Sequence, residues 1–123
     1  AQVKKIRGVI VDGAARDVDE SRELEFPVFG KGAVQVTARS RVMQESFNEE
    51  IECAGVQVHP GDLVIADMSG VVFIPRGRED EVLTQAEGLA AAEQRMAAAI
   101  KTGRSVVEVM ETLGYEAMLS KDK

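Results

Sequence analysis

The stretch Gly8-Val9-Ile10-Val11-Asp12-Gly13-Ala14-Ala15-Arg16-Asp17-Val18-Asp19-Glu20 constrains this chain more than any other segment. Val9 to Val11, three β-branched residues, make the short apolar run of a buried strand, and Asp12-Gly13 is expected to break it. An acid-rich helix start follows. A strand that passes through small residues into a helix is an α/β arrangement, and α/β proteins place ligand-binding groups on the rigid support at such mouths. Arg16, Asp17 and Glu20 occupy that mouth. Asp17-x-x-Glu20 also has the spacing of a capping box, in which the aspartate accepts from an N–H of the first helical turn and the glutamate reaches back to the cap. Gly13, Ala14 and Ala15 leave room for a ligand against the backbone.

Composition excludes several classes of function. Fifteen basic against twenty-one acidic residues give a net charge of -6, which disfavours a continuous cationic surface for a phosphate backbone. Nucleic acid is therefore not an expected partner. Cys53 is the only cysteine, so neither an intrachain disulfide nor a thiolate metal cluster can form. It is read as a small buried hydrophobe. The apolar runs are far shorter than a membrane span and no targeting pattern is present, so the expected location is the cytoplasm, without a membrane partner. A chain of 123 residues that is 45% hydrophobic fits one domain, residues 1–123, with a sizeable core. Aromatics make up only 4%, so that core is expected to be aliphatic.

Val18 to Leu24 reads as a short helix that ends by Phe26, because Pro27 disfavours helical geometry before it. Pro27-Val28-Phe29 reads as extended, Gly30-Lys31-Gly32 as a flexible turn carrying a solvated lysine, and Val34 to Ala38 as a half-exposed strand. Arg39 to Asn48 is polar and is expected to be a surface loop, in which Arg39 and Arg41 are long enough to reach a substrate carboxylate but are read as solvated. A succession of short strands follows at Ile51–Ala54, Val56–Val58, Leu63–Ala66 and Val71–Ile74. His59-Pro60-Gly61-Asp62 has the residues of a type II turn, and Asp67-Met68-Ser69-Gly70 those of a hairpin turn. Asp62 and Asp67 are read as turn caps. From Arg78 to Thr102 the period becomes helical, with Val82, Ala86, Leu89, Met96 and Ile100 on one stripe and Gly103 as the stop. Glu93 lies on that stripe, where a carboxylate is costly to bury unless it is paired or sits at an interface. Ser105-x-x-Glu108 has capping-box spacing and opens a last helix that Gly114 stops, before an amphipathic tail from Tyr115 to Lys123.

Val11-Asp12-Gly13-Ala14-Ala15-Arg16-Asp17-Val18-Asp19-Glu20, with Arg22-Glu23-Leu24 and Phe26-Pro27-Val28-Phe29, resembles the family that includes the regulator of ribonuclease activity A and the class II 4-hydroxy-4-methyl-2-oxoglutarate aldolases. The resemblance continues through Gly55-Val56, Pro60-Gly61-Asp62-Leu63-Val64, Ala66-Asp67, Gly70-Val71-Val72 and Pro75. It implies an α/β fold with layered β/β/α, swivelling-domain-like architecture, short strands in the middle and C-terminal helices. It also implies assembly as a homo-oligomer, a trimer or hexamer, with sites between subunits. The catalytic members carry Arg-Asp-x-x-Glu/Asp, matched by Arg16, Asp17 and Glu20. They also carry a glycine-rich loop well upstream of the arginine, and only fifteen residues precede Arg16 here. The chain is accordingly expected to be the C-terminal portion of a longer family domain.

The implied activity is cleavage of 4-hydroxy-4-methyl-2-oxoglutarate or 4-carboxy-4-hydroxy-2-oxoadipate to pyruvate. Oxaloacetate decarboxylation is its companion, since both pass through a pyruvate enolate. Magnesium or manganese prefers oxygen ligands and keeps several waters, so Asp17 and Glu20 suffice as metal ligands. Arg16 offers a planar fork to the small 2-oxo acid substrate. Glu93 is the candidate for the acid that a neighbouring subunit supplies in the family's catalytic branch. The alternative is a non-catalytic regulator that binds a ribonuclease or helicase.

Overall fold

Turn chemistry punctuates the chain into short elements. In the computed structural model, residues 2–112 and Gly114 are described. A 3-10 turn at Gln2–Lys4 precedes strand β1 (Val9–Ala15), helix α1 (Val18–Glu23) and strand β2 (Val28–Ala33). Strands β3 (Ile51–Cys53), β4 (Val56–Val58), β5 (Leu63–Asp67) and β6 (Gly70–Ile74) follow, then helices α2 (Glu79–Lys101) and α3 (Val106–Thr112). The fold is thus mixed α/β, with short strands and C-terminal helices. The chain divides into two compact units, residues 1–76 and 77–123.

In the first unit the strands form three two-stranded sheets. β1 and β2 are parallel, connected by α1, and their register shifts between Val11 and Ala14. Asp12-Gly13 therefore does not end the strand as expected. Its residues form an irregularity within β1, because pairing resumes at Ala14 with Gly32 and Ala15 with Ala33. Gly30-Lys31-Gly32 is likewise strand and not turn. Gly30 admits a close approach: a Cβ there would lie 3.0 Å from the carbonyl oxygen of Gly13. The expected strand at 34–38 is absent. Its alternation is real, but beyond the bond from Val34 N–H to the Ala15 carbonyl at 2.9 Å it has no ladder partner among the described residues.

The antiparallel hairpins follow local signals closely. β3 and β4 pair Cys53 with Val56 around Ala54 and Gly55, whose φ values of 51° and 82° suit a two-residue loop of the primed type. Before β5, Asp62 N–H donates to the His59 carbonyl at 3.1 Å and Gly61 takes φ 96°, the positive angle that a type II turn needs. The Asp62 carboxylate accepts from the N–H groups of His59 (2.9 Å) and Arg76 (3.0 Å), tying the turn to the residue beyond β6. These two donors hold its carboxyl below the usual carboxylate range. Asp67 accepts from Ser69 N–H (2.7 Å) and Gly70 N–H (3.3 Å), closing the β5–β6 turn. Both aspartates are turn caps.

Cys53 and Ile74 are the buried apolar side chains of this unit among the described residues. The sizeable core expected from composition is not met there. Ile65 and Val72, partners across β5 and β6, are 48% and 57% exposed. The ribbon sets Val64, Ala66, Val71 and Phe73 at clefts shared with β1 and β2 residues, and Ile65 and Val72 lie on its opposite face.

The second unit holds α2 and α3, which pack on each other, with Met96 and Val109 buried. Glu79, Asp80 and Glu81 sit in the first turn of α2 and Lys101 in its last, the arrangement that the helix dipole favours. Gly103 follows with φ 92°. Leu89 on the predicted stripe is 42% exposed, so the stripe is covered toward its ends but not at its middle. The capping box at Ser105 is not made: Glu108 accepts from Arg104 Nη2 at 2.8 Å instead of reaching back, because the guanidinium one turn earlier offers a charged donor. Leu113 and the tail Tyr115–Lys123 lie outside the described residues.

Candidate functional site

β1 ends at Ala15 and α1 begins at Val18, so Arg16 and Asp17 form the whole connection between them. Asp17 adopts φ 59° and ψ 43°, a left-handed conformation that aspartate tolerates better than most residues. Its side chain makes no capping bond. The expected capping box is therefore absent, since this backbone conformation leaves the carboxylate with Arg16. Arg16 Nε lies 2.9 and 3.0 Å from the two Asp17 oxygens, and its two Nη nitrogens make no hydrogen bond among the described residues. Ser21 Oγ donates to the Asp17 carbonyl at 2.9 Å, a side-chain bond within the first turn of α1.

Arg16 borders two clefts. One, of about 470 Å³, is lined by Arg16, Ser21, Arg22 and Glu25 with the apolar wall of Phe26 and Pro27, and its remaining lining includes Ala15, Gly30, Gly32 and Ala33. The other, of about 490 Å³, is lined by Arg16, Asp17 and Val18 with residues 33–36. Asp17 thus faces the second cleft only. Glu20 is exposed in the first turn of α1 and lines neither. Arg39 and Arg41 line neither cleft as well. Glu93 is an exposed residue of α2, in the second unit.

Asp17 and Glu20 present hard oxygen donors three residues apart. No group of three or more His, Cys, Asp or Glu side chains converges to hold a metal among the described residues. The donor set fits an ion that keeps most of its water and takes one or two carboxylates, which is the habit of magnesium. It does not fit a closed protein cage.

A cluster that sequence reasoning missed lies behind β1. Lys31 makes an ion pair with Asp12 across the β1–β2 irregularity. Lys31 is solvated as expected, its side chain 62% exposed, but it stands on a strand with an ion-pair partner and not in a loop. The Lys31 ammonium, helped by the Ala54 N–H, holds the Asp12 carboxyl below its usual range, and Asp12 in turn raises Lys31. Both line an apolar cleft of about 510 Å³ that also includes Cys53. The missed signal was the parallel register itself, which sets Lys31 beside the break at Asp12.

A strand-to-helix connection made of an arginine locked onto the next residue's carboxylate and bordered by clefts is set in a mixed α/β fold. The family follows from comparison. Residues 1–73 match the RraA-like model, described as Aldolase/RraA, and the chain belongs to the RraA-like family. A protein of Halalkalibacterium halodurans with the provisional name 4-hydroxy-4-methyl-2-oxoglutarate aldolase is 40% identical over 87 residues, 71% of this chain and 41% of that protein. An uncharacterised protein of Methanocaldococcus jannaschii is 33% identical over 110 residues, 89% of this chain and 52% of its own length. The crystal structure of an uncharacterised protein from Pseudomonas syringae pv. tomato superposes with a TM-score of 0.81 at 30% identity, covering 85% of this chain and 52% of that one. The chain thus spans about half the length of these relatives. No helix among the described residues is long and apolar enough to cross a membrane.

Proposed function

We propose that this chain carries the arginine–acid half of a divalent-metal-dependent class II aldolase and decarboxylase site acting on small 2-oxo acids. The observation that carries the reading is the Arg16–Asp17 lock, which engages Nε and leaves both Nη nitrogens without a hydrogen bond among the described residues, on a side chain that lines a cleft. A paired Nη edge is the fork that binds a carboxylate or a carboxylate and its neighbouring carbonyl oxygen. Arg16 would hold the 2-oxo acid end of 4-hydroxy-4-methyl-2-oxoglutarate, 4-carboxy-4-hydroxy-2-oxoadipate or oxaloacetate and share the charge that grows there as the enolate of pyruvate forms. Asp17 keeps the guanidinium in place and, with Glu20, would offer carboxylate oxygens to a hydrated ion. Magnesium or manganese held there would supply the electropositive centre that carbon–carbon cleavage beside a 2-oxo group requires. Glu93 is assigned as an acid contributed to a neighbouring subunit's site in a homotrimer or hexamer.

The test is pyruvate release from 4-hydroxy-4-methyl-2-oxoglutarate and from oxaloacetate, with magnesium, with manganese and with chelator, for the chain and for Arg16→Ala. Metal-dependent turnover that Arg16→Ala abolishes supports the reading. A second reading, a non-catalytic regulator that binds a ribonuclease or helicase, draws on the exposed Ile65–Val72 pair as a contact surface. It gains if a folded chain shows neither turnover nor binding of any 2-oxo acid.

A further inference from the structure

We propose that Arg22 is a second carboxylate-binding residue of the Arg16 cleft and makes it selective for 2-oxo dicarboxylates over 2-oxo monocarboxylates. The inference rests on the 2-oxo acid reading above, whose substrates all carry a further carboxylate, and adds the residue that holds it.

Arg16 stands just before α1 and Arg22 in its last turn, yet both line the same cleft of about 470 Å³. That volume falls in the range of small-molecule sites, roughly 300–1,000 Å³. Arg16, Arg22 and Glu25 are its charged lining residues, two cations against one anion in a chain whose net charge is -6. A locally cationic cleft on an acidic chain selects an anion. Arg22 is also lightly held. Among the described residues its ion pair is with Asp19 at 3.6 Å, beyond hydrogen-bonding reach, and its side chain is 77% exposed. It can turn to a ligand without breaking a strong bond. The rest of the wall is apolar, with Val18, Phe26, Pro27 and Val28. Two separate guanidinium groups and an apolar wall match an aliphatic chain with a carboxylate at each end. A compact anion such as phosphate would leave that wall unused.

Two five-carbon probes that differ only in the far carboxylate, 2-oxoglutarate and 2-oxopentanoate, test this by calorimetric or NMR titration of the chain with magnesium present. The chain is expected to prefer 2-oxoglutarate by about tenfold, the weight of one charge-assisted contact at an exposed site. Arg22→Gln should bring 2-oxoglutarate down to the affinity of 2-oxopentanoate and leave 2-oxopentanoate unchanged. Arg22→Lys should retain part of the preference, and Arg16→Gln should lose both ligands. Equal affinity in the parent chain, a preference that survives Arg22→Gln, or equal weakening of both probes overturns the Arg22 assignment while the Arg16 site stands. Failure of the parent chain to bind either probe overturns both.

Discussion

Arg16 Nε donates to both carboxylate oxygens of Asp17, at 2.9 and 3.0 Å, across a single peptide bond. Asp17 reaches that position by adopting a left-handed backbone, and it forgoes the helix cap that its place in the sequence offers. Departures of this kind cost energy and concentrate at sites where the geometry itself is used.

It follows that Asp17→Asn should leave α1 intact, since no side-chain cap is lost, while loosening Arg16. Far-UV circular dichroism should be unchanged. In the proposed aldolase assay Asp17→Asn should lower metal-dependent turnover by about 10- to 100-fold, the usual cost of losing an orienting partner. Arg16→Ala should lose more. A clear drop in helicity for Asp17→Asn would show that the carboxylate caps the helix after all.

Asp12 and Lys31 should be coupled in stability. Asp12 is depressed in the folded chain, so its contribution is present above the ordinary carboxylate pKa and fades as pH falls through the lower folded value. Lys31 is raised, so its contribution is complete below the ordinary lysine pKa and fades as pH rises through the higher folded value. Between about pH 4 and 10 the pair is intact. In urea titrations Asp12→Asn and Lys31→Met should each destabilise, and the double variant should lose less than their sum. Strict additivity would dissolve the pair.

Asp62→Ala should unfasten the His59–Asp62 turn from Arg76, because two N–H donors lose one acceptor. The thermal midpoint should fall by several degrees. Its carboxyl is held low when folded, so the parent chain should lose this advantage as pH drops through that depressed value, and the variant should show a flatter acid limb. Identical acid limbs would argue against the latch.

Gly30 and Gly32, two residues apart on β2, should respond oppositely to alanine. At Gly30 the new methyl meets the Gly13 carbonyl oxygen at 3.0 Å, while at Gly32 nothing lies within 4 Å. Gly30→Ala should cost about 1–3 kcal/mol through overpacking. Gly32→Ala should be neutral or slightly stabilising, as fewer unfolded states remain to the chain. Chemical denaturation of the two variants checks this, and equal midpoints would contradict the close approach.

The sequence by itself determined whatever depends on neighbours a few residues away. The hairpins at 51–58 and 63–74, the type II turn with Gly61, the caps at Asp62 and Asp67, and the helix stopped by Gly103 all answer to local turn and cap chemistry. The adjacency of Arg16 and Asp17 was legible for the same reason. Tertiary structure alone decided the rest. Parallel pairing of β1 with β2 turned Gly30-Lys31-Gly32 from an expected turn into strand and carried it through the Asp12-Gly13 break, placing Lys31 against Asp12. Residues 34–38, with equally good alternation, found no ladder among the described residues and stayed irregular. The joint lining of one cleft by Arg16 and Arg22 depends on how α1 lies on β2. Ladder hydrogen bonds and cleft walls are made between segments far apart in the chain, so no local pattern encodes which segment will be present to make them.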